Sequence, residues 1–264
     1  MASSLALIIN THNQPEYLER VLRAVERQDS KPEEVILADD GSGPETREIF
    51  QRWQETKAWR GIHAWQEKQG FRRSRILNIA IAKASSDYLV FLDGDTVPHP
   101  SFIADHREAA RSGYFVQGHR ALIERKAADW FGEGDFSADR RRALWSGQLK
   151  GLKSAFRWPL PLARVRGDLR GIRGCNLGIW RGDLVVINGY NEAFEGWGRE
   201  DSELATRLKN SRVLRLDLRG RALCYHLWHP PANREGLSIN DRLLQEAIES
   251  RSTRCQRGLD QHLA

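Results

Sequence analysis

Residues 87–95 read Asp-Tyr-Leu-Val-Phe-Leu-Asp-Gly-Asp, an apolar run that ends in two aspartates separated by one glycine. A short, continuous apolar run of this kind is typical of a strand that is buried on both faces, as in parallel sheets. The carboxylates at its end project toward a shared point, where hard divalent cations find the oxygen ligands they favour beside substrate phosphates. The stretch therefore predicts a buried strand with a polar site at its carboxyl end.

Two earlier segments repeat this pattern of an apolar run followed by polar residues. Residues 5–9 precede Thr11-His12-Asn13, and residues 34–38 precede Asp39-Asp40-Gly41-Ser42. Helical spacing follows each of them, from Pro15 and from Pro44 to Lys57, and returns over residues 74–84. This order of strands and helices predicts an α/β fold with a parallel sheet.

The three polar segments are predicted to meet, because ligands of parallel α/β sheets bind beyond the carboxyl ends of the strands. Each segment alone has an ordinary alternative. The sequence Asp-Asp-Gly-Ser is common in turns, and a lone Asp-x-Asp is a weak signal. Their convergence is what favours a binding site.

The composition indicates a globular protein with an anionic partner. The chain has 264 residues, 40% of them hydrophobic, and a formal net charge of +6. Such a balance suits nucleotides, nucleic acid or an acidic membrane surface without choosing among them. Three widely spaced cysteines favour a reducing compartment. With no apolar run of membrane-spanning length and no leader-like start, we expect a cytoplasmic protein, and peripheral contact with the inner face of a membrane stays open.

Residues 124–170 differ in character from the rest of the chain. They are rich in Arg and Lys, with Trp130, Trp145 and Trp158 interleaved, and they show no clear period. We predict an elaborated loop with short helices. Two functions are open for this segment: contact with an anionic acceptor, or contact with an anionic membrane. The ordinary alternative is a solvated segment that packs its tryptophans inside.

The amino-terminal part resembles family 2 glycosyltransferases of the GT-A fold. The matching segments are INTHNQPEYL at 9–18, VILADDGS at 35–42 and SSDYLVFLDGDTVPHP at 85–100. The resemblance implies a site for a UDP-sugar donor, with Thr11 and Asp39 at the nucleoside and Asp40 close by. It also implies that Asp93 and Asp95 meet the donor through a divalent metal, Mn²⁺ or Mg²⁺.

The segment NGYNEAFEGWGRED at 188–201 resembles a carboxyl-terminal module of galactosyltransferases, N-acetylgalactosaminyltransferases and chondroitin-type polymerases. The resemblance implies that Asp201 is the catalytic base and Glu200 its neighbour. It further implies that Trp197 and Gly198 border the acceptor sugar. A carboxylate suits the role of base because a sugar hydroxyl is a poor nucleophile until its proton is removed. The ordinary alternative is that these acids only begin a helix.

Two shorter segments extend the resemblance. GFRRSRILNIAIAKA at 70–84 implies that Arg73 lies near the donor diphosphate, a role that suits a guanidinium group. CYHLWHP at 224–230 implies that a histidine completes the metal site. His226 and His229 are both candidates, and the alternative for either is an ordinary surface or core histidine.

Together these patterns predict one α/β domain of the GT-A type with a mostly parallel sheet flanked by helices. Residues 1–120 would form the nucleotide-sugar half, 121–236 the acceptor half and 237–264 a carboxyl-terminal helix. The predicted function is transfer of a hexose or N-acetylhexosamine from a UDP-sugar to a saccharide or glycolipid acceptor, with inversion, in bacterial lipopolysaccharide or capsule synthesis.

Two alternatives remain open at this point. A sugar nucleotidyltransferase shares the layout, but the glycine-rich phosphate loop expected after its first strand is absent from this sequence. A non-enzymatic nucleic-acid-binding protein fits the charge, but no compact recognition motif is present, and we expect no nucleic-acid partner.

Overall fold

A computed structural model describes residues 4–55, 59–159, 162–231 and 233–263 of the chain. The strands are β1 Leu5–Thr11, β2 Glu34–Asp39, β3 Arg60–Trp65, β4 Tyr88–Asp93, β5 Thr96–Pro98, β6 Tyr114–Gln117, β7 Arg120–Ile123, β8 Leu149–Lys150, β9 Leu162–Arg166, β10 Asn176–Trp180, β11 Leu214–Arg219 and β12 Cys224–Leu227. The α-helices are α1 Pro15–Glu26, α2 Pro44–Glu55, α3 Arg73–Lys83, α4 Phe102–Ala109, α5 Arg125–Ala128, α6 Phe136–Trp145, α7 Arg181–Ile187, α8 Glu200–Asn210 and α9 Leu237–Glu249. Short 3₁₀ turns cover Leu152–Ser154 and Leu259–Gln261.

The main sheet has eight strands in the order β3-β2-β1-β4-β10-β6-β11-β9 within the described residues. Strands β10 and β9 run against the other six, which are parallel in direction. The predicted α/β fold with a mostly parallel sheet is therefore confirmed. The three apolar runs that predicted it lie side by side as β2, β1 and β4.

Alternating side chains of each central strand enter two different cores, one on each face of the sheet. On β1, Leu7 packs into the core that α1, α2 and α4 cover. Ile8 packs into the core that α3, α7 and α8 cover on the other face. Burial on both faces explains why these strands are apolar throughout.

A second sheet has four strands in the order β5-β12-β7-β8, and its first strand, β5, follows β4 directly in the chain. One face of this small sheet packs against α5 and α6 through a third core that includes Ala121, Phe131 and Tyr225. The sequence did not predict this sheet, because its strands are two to four residues long and join segments far apart in the chain. A run this short carries no readable period.

The helix predicted at 74–84 is confirmed as α3. The carboxyl-terminal helix predicted over residues 237–264 is shorter than predicted, because α9 ends at Glu249 and only a 3₁₀ turn at Leu259–Gln261 follows it. The predicted helix from Pro44 ends at Glu55, and residues 56 and 57 lie outside the described parts of the chain. The segment 124–170 contains short helices, as predicted, and also the strands β8 and β9. The division of the domain at residues 120 and 236 stays a prediction. Across the described ranges no helix combines the length and apolarity needed to cross a membrane.

Candidate active site

The Asp-x-Asp turn lies directly against the carboxyl end of β1. The Gly94 N–H donates to the carbonyl oxygen of Asn10 over 2.7 Å. A Cβ atom at Gly94 would come within 2.9 Å of Thr11 Oγ1, so only glycine allows this approach. The close packing sets the directions of Asp93 and Asp95 relative to the end of the neighbouring strand.

Asp95, His226 and His229 form a group whose potential ligand atoms all lie within 4.8 Å of one another. Strand pairing brings His226 opposite Thr96, the residue after Asp95. Asp95 Oδ2 is 3.1 Å from His229 Nε2, and Asp95 Oδ1 is 3.7 Å from His226 Nε2. One carboxylate and two imidazoles are a donor set that suits Mn²⁺ better than Ca²⁺, so these residues fit the metal that the sequence predicts.

The two histidines are in different protonation environments. Burial lowers the pKa of His226 to about 4, which leaves its imidazole neutral and able to bind a metal at neutral pH. The hydrogen bond with Asp95 raises the pKa of His229. The structure thus brings both predicted histidines to Asp95, and their roles as ligands stay predictions.

Arg73 lies at the start of α3 and is held by three carboxylates. Its guanidinium is 2.9 Å from Asp201 Oδ1, 3.2 Å from Glu200 Oε1 and 3.3 Å from Asp93 Oδ1. Glu200 and Asp201 begin α8, so the amino-terminal ends of two helices meet at the end of β4. Asp93 therefore faces Arg73, and it is not part of the Asp95–histidine group.

Two of these acids have raised pKa values. Burial, reinforced by the neighbouring charge of Asp201, raises the pKa of Glu200 to about 7. Burial raises the pKa of Asp93 to about 6, although Arg73 opposes the shift. Glu200 Oε2 is buried and has no hydrogen-bond partner among the described residues. Paired acids with shifted pKa values in a cleft are typical of functional sites.

Asp201 is oriented by two donors. In addition to Arg73, the backbone N–H of Gly174 donates to Asp201 Oδ2 over 2.7 Å. A Cβ atom at Gly174 would lie 2.3 Å from Asp201 Oδ1, so any larger residue would displace the carboxylate. This contact was not foreseen from the sequence, because it joins residues 27 positions apart in the chain.

The residues predicted to meet the nucleoside lie at the ends of β1 and β2. Asp39 accepts hydrogen bonds from the Ser42 N–H over 2.8 Å and from His63 over 2.9 Å. Thr11 is buried, and its hydroxyl has no partner among the described residues.

Asp40 lies next to Asp39 and is equally well bound. It accepts hydrogen bonds from Gln66 over 2.6 Å and from Lys68 over 3.2 Å. Internal contacts fix both aspartates, so they form a preorganised edge beside the Asp-x-Asp turn.

The predicted acceptor loop lies immediately before α8. Trp197 is 39% exposed, and the guanidinium of Arg234 lies 4.9 Å from the centre of its ring. Gly198 has a φ of +103°, a left-handed value that favours glycine. Arg234 therefore covers one face of the Trp197 ring, and the rest of this side chain remains accessible to a ligand.

Arg120 is a site residue that the sequence did not single out. It is on β7, opposite Cys224 of β12, and its Nη1 is 3.5 Å from Cys175 Sγ. Burial lowers the pKa of this arginine, but the neighbouring Cys175 and, to a smaller extent, the charge of Asp93 raise it above its usual value. No sequence signal marks Arg120, because its position depends on the pairing of the small sheet.

An α/β sheet with its polar groups gathered at the carboxyl ends of parallel strands is the arrangement of nucleotide-binding α/β proteins. The chain belongs to glycosyl transferase family 2, whose profile matches residues 6–163, more than half of the length. A second profile, described as the N-terminal domain of galactosyltransferase, matches residues 156–226. The predicted family and its galactosyltransferase-like module are confirmed.

Curated relatives carry the names of glycosyltransferases. The chain is 27% identical over 220 residues to a validoxylamine A glucosyltransferase of Streptomyces hygroscopicus subsp. limoneus, a match over 77% of this chain and 47% of that protein. It is 23% identical over 265 residues to a chondroitin synthase of Escherichia coli, a match over 92% of this chain and 38% of that protein. The chain thus spans about half the length of the glucosyltransferase it matches.

Solved structures share the fold at low sequence identity. The mannosyltransferase PcManGT from Pyrobaculum calidifontis, in complex with GDP-Man and Mn²⁺, aligns with a TM-score of 0.60 at 18% identity, over 93% of this chain and 63% of that chain. S. aureus TarS residues 1–349 in complex with UDP align with a TM-score of 0.63 at 14% identity, over 98% of this chain and 68% of that chain. These likenesses show the fold, which is that of the GT-A glycosyltransferases.

Proposed function

We propose that this protein is an inverting, metal-dependent glycosyltransferase that moves a hexose or N-acetylhexosamine from a UDP-sugar to a saccharide hydroxyl. The observation that carries the proposal is the position of Arg73, which contacts Asp201 over 2.9 Å and Asp93 over 3.3 Å. A candidate base for the acceptor and the Asp-x-Asp turn for the donor therefore share one partner. Direct displacement requires that the two substrates react side by side, and this arrangement supports it.

On the acceptor side, Asp201 takes the proton of the attacking hydroxyl as the new glycosidic bond forms. The Gly174 N–H and Arg73 hold its two oxygens in place. The ring of Trp197 gives the apolar face of the acceptor sugar a surface to pack on. Gly198 lets the loop approach the sugar closely. Attack on the anomeric carbon opposite the leaving nucleotide inverts its configuration.

On the donor side, Thr11, Asp39 and Asp40 bind the nucleoside. Asp95, His226 and His229 would hold Mn²⁺ or Mg²⁺, and Asp93 adds a carboxylate beside them. When bound, the ion would act as a Lewis acid that neutralises charge on the departing diphosphate. In this structure three carboxylates occupy Arg73, so its predicted contact with the diphosphate requires that it leave at least one of them.

The relatives and neighbours agree with this proposal in several respects. They include proteins named as a glucosyltransferase and a chondroitin synthase. Solved neighbours hold GDP-Man with Mn²⁺ in one case and UDP in another. A beta-1,3-glucosyltransferase of Campylobacter jejuni, matched over 46% of this chain, is named for an undecaprenol-linked saccharide. We therefore propose a saccharide or glycolipid acceptor, in synthesis of a bacterial cell-surface glycan.

A donor screen tests the proposal. The purified chain is incubated with Mn²⁺ and each common UDP-, GDP- or other nucleotide-sugar, and released nucleotide is measured with and without a chelator. We expect UDP release from one donor, abolished by the chelator. The anomeric configuration of a product formed with an added saccharide then reports whether transfer proceeds with inversion.

Three outcomes would contradict parts of the proposal. Release of GDP rather than UDP would overturn the donor nucleotide while leaving glycosyl transfer intact. Release that is insensitive to the chelator would overturn the metal. No release from any donor, together with no calorimetric UDP binding in the presence of Mn²⁺, would overturn the function itself.

A further inference from the structure

Trp145 is the most exposed large hydrophobic side chain among the described residues, at 87%. It ends α6, and exposed leucines lie on either side of it in the chain, Leu144 at 37% and Leu152 at 50%. Exposed cations lie among them. We name this region the α6–β8 surface, and it consists of Arg141, Leu144, Trp145, Lys150, Leu152 and Lys153.

The chain segment that carries this surface holds charge of a single sign. Residues 140–167 contain eight Arg or Lys and no Asp or Glu. Other members of this run have partners inside the protein: Arg157 binds Asp105, and Arg142 stacks on Trp130. Within the described parts of the chain, Arg141, Lys150 and Lys153 form no ion pair, so their charge faces outward.

The local structure holds Trp145 outward in an ordered turn. Ala143 and Leu149 anchor the segment in the core beneath the small sheet. The Gln148 N–H donates to the Ala143 carbonyl oxygen over 2.8 Å, which closes the chain around Gly147 at a φ of +68°. The exposed side chains therefore extend from a fixed support.

We propose that the α6–β8 surface docks the protein on an anionic lipid membrane. Tryptophan is enriched where a protein meets the membrane–water interface, because its ring is apolar and its N–H is polar. Cations close to the surface are attracted by anionic headgroups. The exposed leucines favour a lipid surface over a soluble polyanion as the partner. Contact with acyl chains stabilises apolar side chains, whereas contact with a sulfated or phosphorylated chain does not.

One member of the α6–β8 surface, Lys150, lies on the face of the small sheet that carries His226. Lys150 of β8 pairs with Leu122 of β7, which pairs with His226 of β12. Directly paired residues point to the same face of a sheet, and neighbouring strands are about 4.8 Å apart. Lys150 is therefore on the same face as the histidine, about 10 Å away. A docked molecule would hold the open face of the small sheet near membrane-bound saccharide.

The charge part of the proposal is tested by sedimentation with vesicles of phosphatidylcholine, with and without phosphatidylglycerol. We expect binding only to the anionic vesicles, with loss as salt is added. The double variant Lys150→Gln with Lys153→Gln is expected to bind about 25-fold more weakly, because each cation contributes about fivefold to the affinity. The matched control is Arg47→Gln with Lys83→Gln, two exposed cations on other helices, and it should bind as the parent protein does.

The insertion of Trp145 is tested with vesicles that contain acyl-brominated lipid, which quenches tryptophan close to the acyl chains. We expect quenching in the parent protein and its loss in Trp145→Ala. Val186→Ala, at another exposed apolar position, should leave quenching unchanged. Circular dichroism confirms that each variant is folded.

Three results would overturn the proposal. The first is that the protein does not bind anionic vesicles at low salt. The second is that the Lys150/Lys153 variant binds them as tightly as the parent protein. The third is that heparin or DNA displaces the protein from the vesicles and Trp145 shows no quenching. No nucleotide-sugar is present in these measurements, so their outcome is independent of the proposed enzymatic function.

Discussion

At the scale of single residues, Arg73 divides the acids of the candidate site into two kinds. Asp201 receives two hydrogen bonds, from Arg73 and from the Gly174 N–H, and its side chain is 19% exposed. Glu200 is buried, with one oxygen lacking a partner among the described residues and with a pKa raised to about 7. The better-solvated, firmly oriented Asp201 is suited to be the base, and Glu200 is suited to set the charge beside it.

Asp201→Asn tests this division directly. The amide keeps the shape of the side chain but cannot accept the acceptor's proton, so we expect turnover to fall by about 10²- to 10⁴-fold. UDP binding, measured by calorimetry with Mn²⁺, should persist because Asp201 is assigned to the acceptor. Asp29→Asn, the same change on an exposed carboxylate that accepts a hydrogen bond from Ser101, is the matched control. Near-normal turnover in Asp201→Asn would remove this residue from the mechanism.

The aromatic loop supplies a second residue-scale prediction. Removing the ring in Trp197→Ala should raise the acceptor KM about tenfold, because the sugar loses the surface on which it packs. Hydrolysis of the donor in the absence of acceptor should not change. Trp197→Phe should recover most of the acceptor affinity. A loss of donor hydrolysis in Trp197→Ala would show that the loop belongs to the donor side instead.

At the scale of elements, pairing of β12 with β5 assembles the candidate metal site. These strands join residues more than a hundred positions apart in the chain, and the pairing places His226 and His229 beside Asp95. The sequence indicated both histidines but could not choose between them, since the choice depends on strand register. The register brings both imidazoles within reach of one carboxylate.

Thermal unfolding with and without Mn²⁺ separates the histidines. At a free concentration of about 100 times its dissociation constant, the ion would stabilise the folded protein by about 2.7 kcal/mol. A change of this size raises the Tm of a protein this large by about 5–10 °C. We expect this rise to be lost in His226→Ala and in His229→Ala. It should persist in His262→Ala, because that histidine binds Glu192 elsewhere. A full rise in one of the first two variants would exclude that histidine as a ligand.

At the scale of the whole molecule, the sequence predicts the parts of the fold that are buried on both faces. The runs that become β1, β2 and β4 are apolar throughout because helices cover the sheet on each side. The strand β3 escaped prediction because it lies at the sheet edge and is only partly buried. Its sequence, Arg60-Gly-Ile-His-Ala-Trp65, shows no continuous apolar run.

In the candidate site, too, the sequence predicts the residues that a local pattern marks and misses those that tertiary contacts bring together. Motif residues such as Asp93, Asp95 and Asp201 were identified from local patterns and from family resemblance. Arg120 and the Gly174–Asp201 contact were not, because they arise where segments distant in the chain meet. The sequence likewise did not indicate that Arg73 is held by three carboxylates. Contacts of this kind depend on tertiary packing, which no short motif encodes.

Buried Glu200 predicts one component of the pH dependence of stability in the metal-free protein. The pKa of Glu200 is raised from 4.5 to about 7 in the folded state. Between these values Glu200 holds a proton in the folded protein but not in the unfolded chain, so its contribution to stability is fully present below about pH 4.5 and is lost as pH rises through 7. A shift of this size corresponds to a loss of up to about 3 kcal/mol.

Glu200→Gln removes the titrating group and keeps a side chain of similar shape. We expect the unfolding free energy of this variant, relative to that of the parent protein, to increase between pH 5.5 and pH 8, because only the parent loses the contribution of Glu200. Urea denaturation in the presence of a chelator measures both free energies. Glu249→Gln, at an exposed acid in the last turn of α9, should keep the full pH dependence. If the unfolding free energies of Glu200→Gln and the parent protein instead change in parallel over this interval, Glu200 is ionised throughout it, and the charge of Arg73 outweighs the effects of burial.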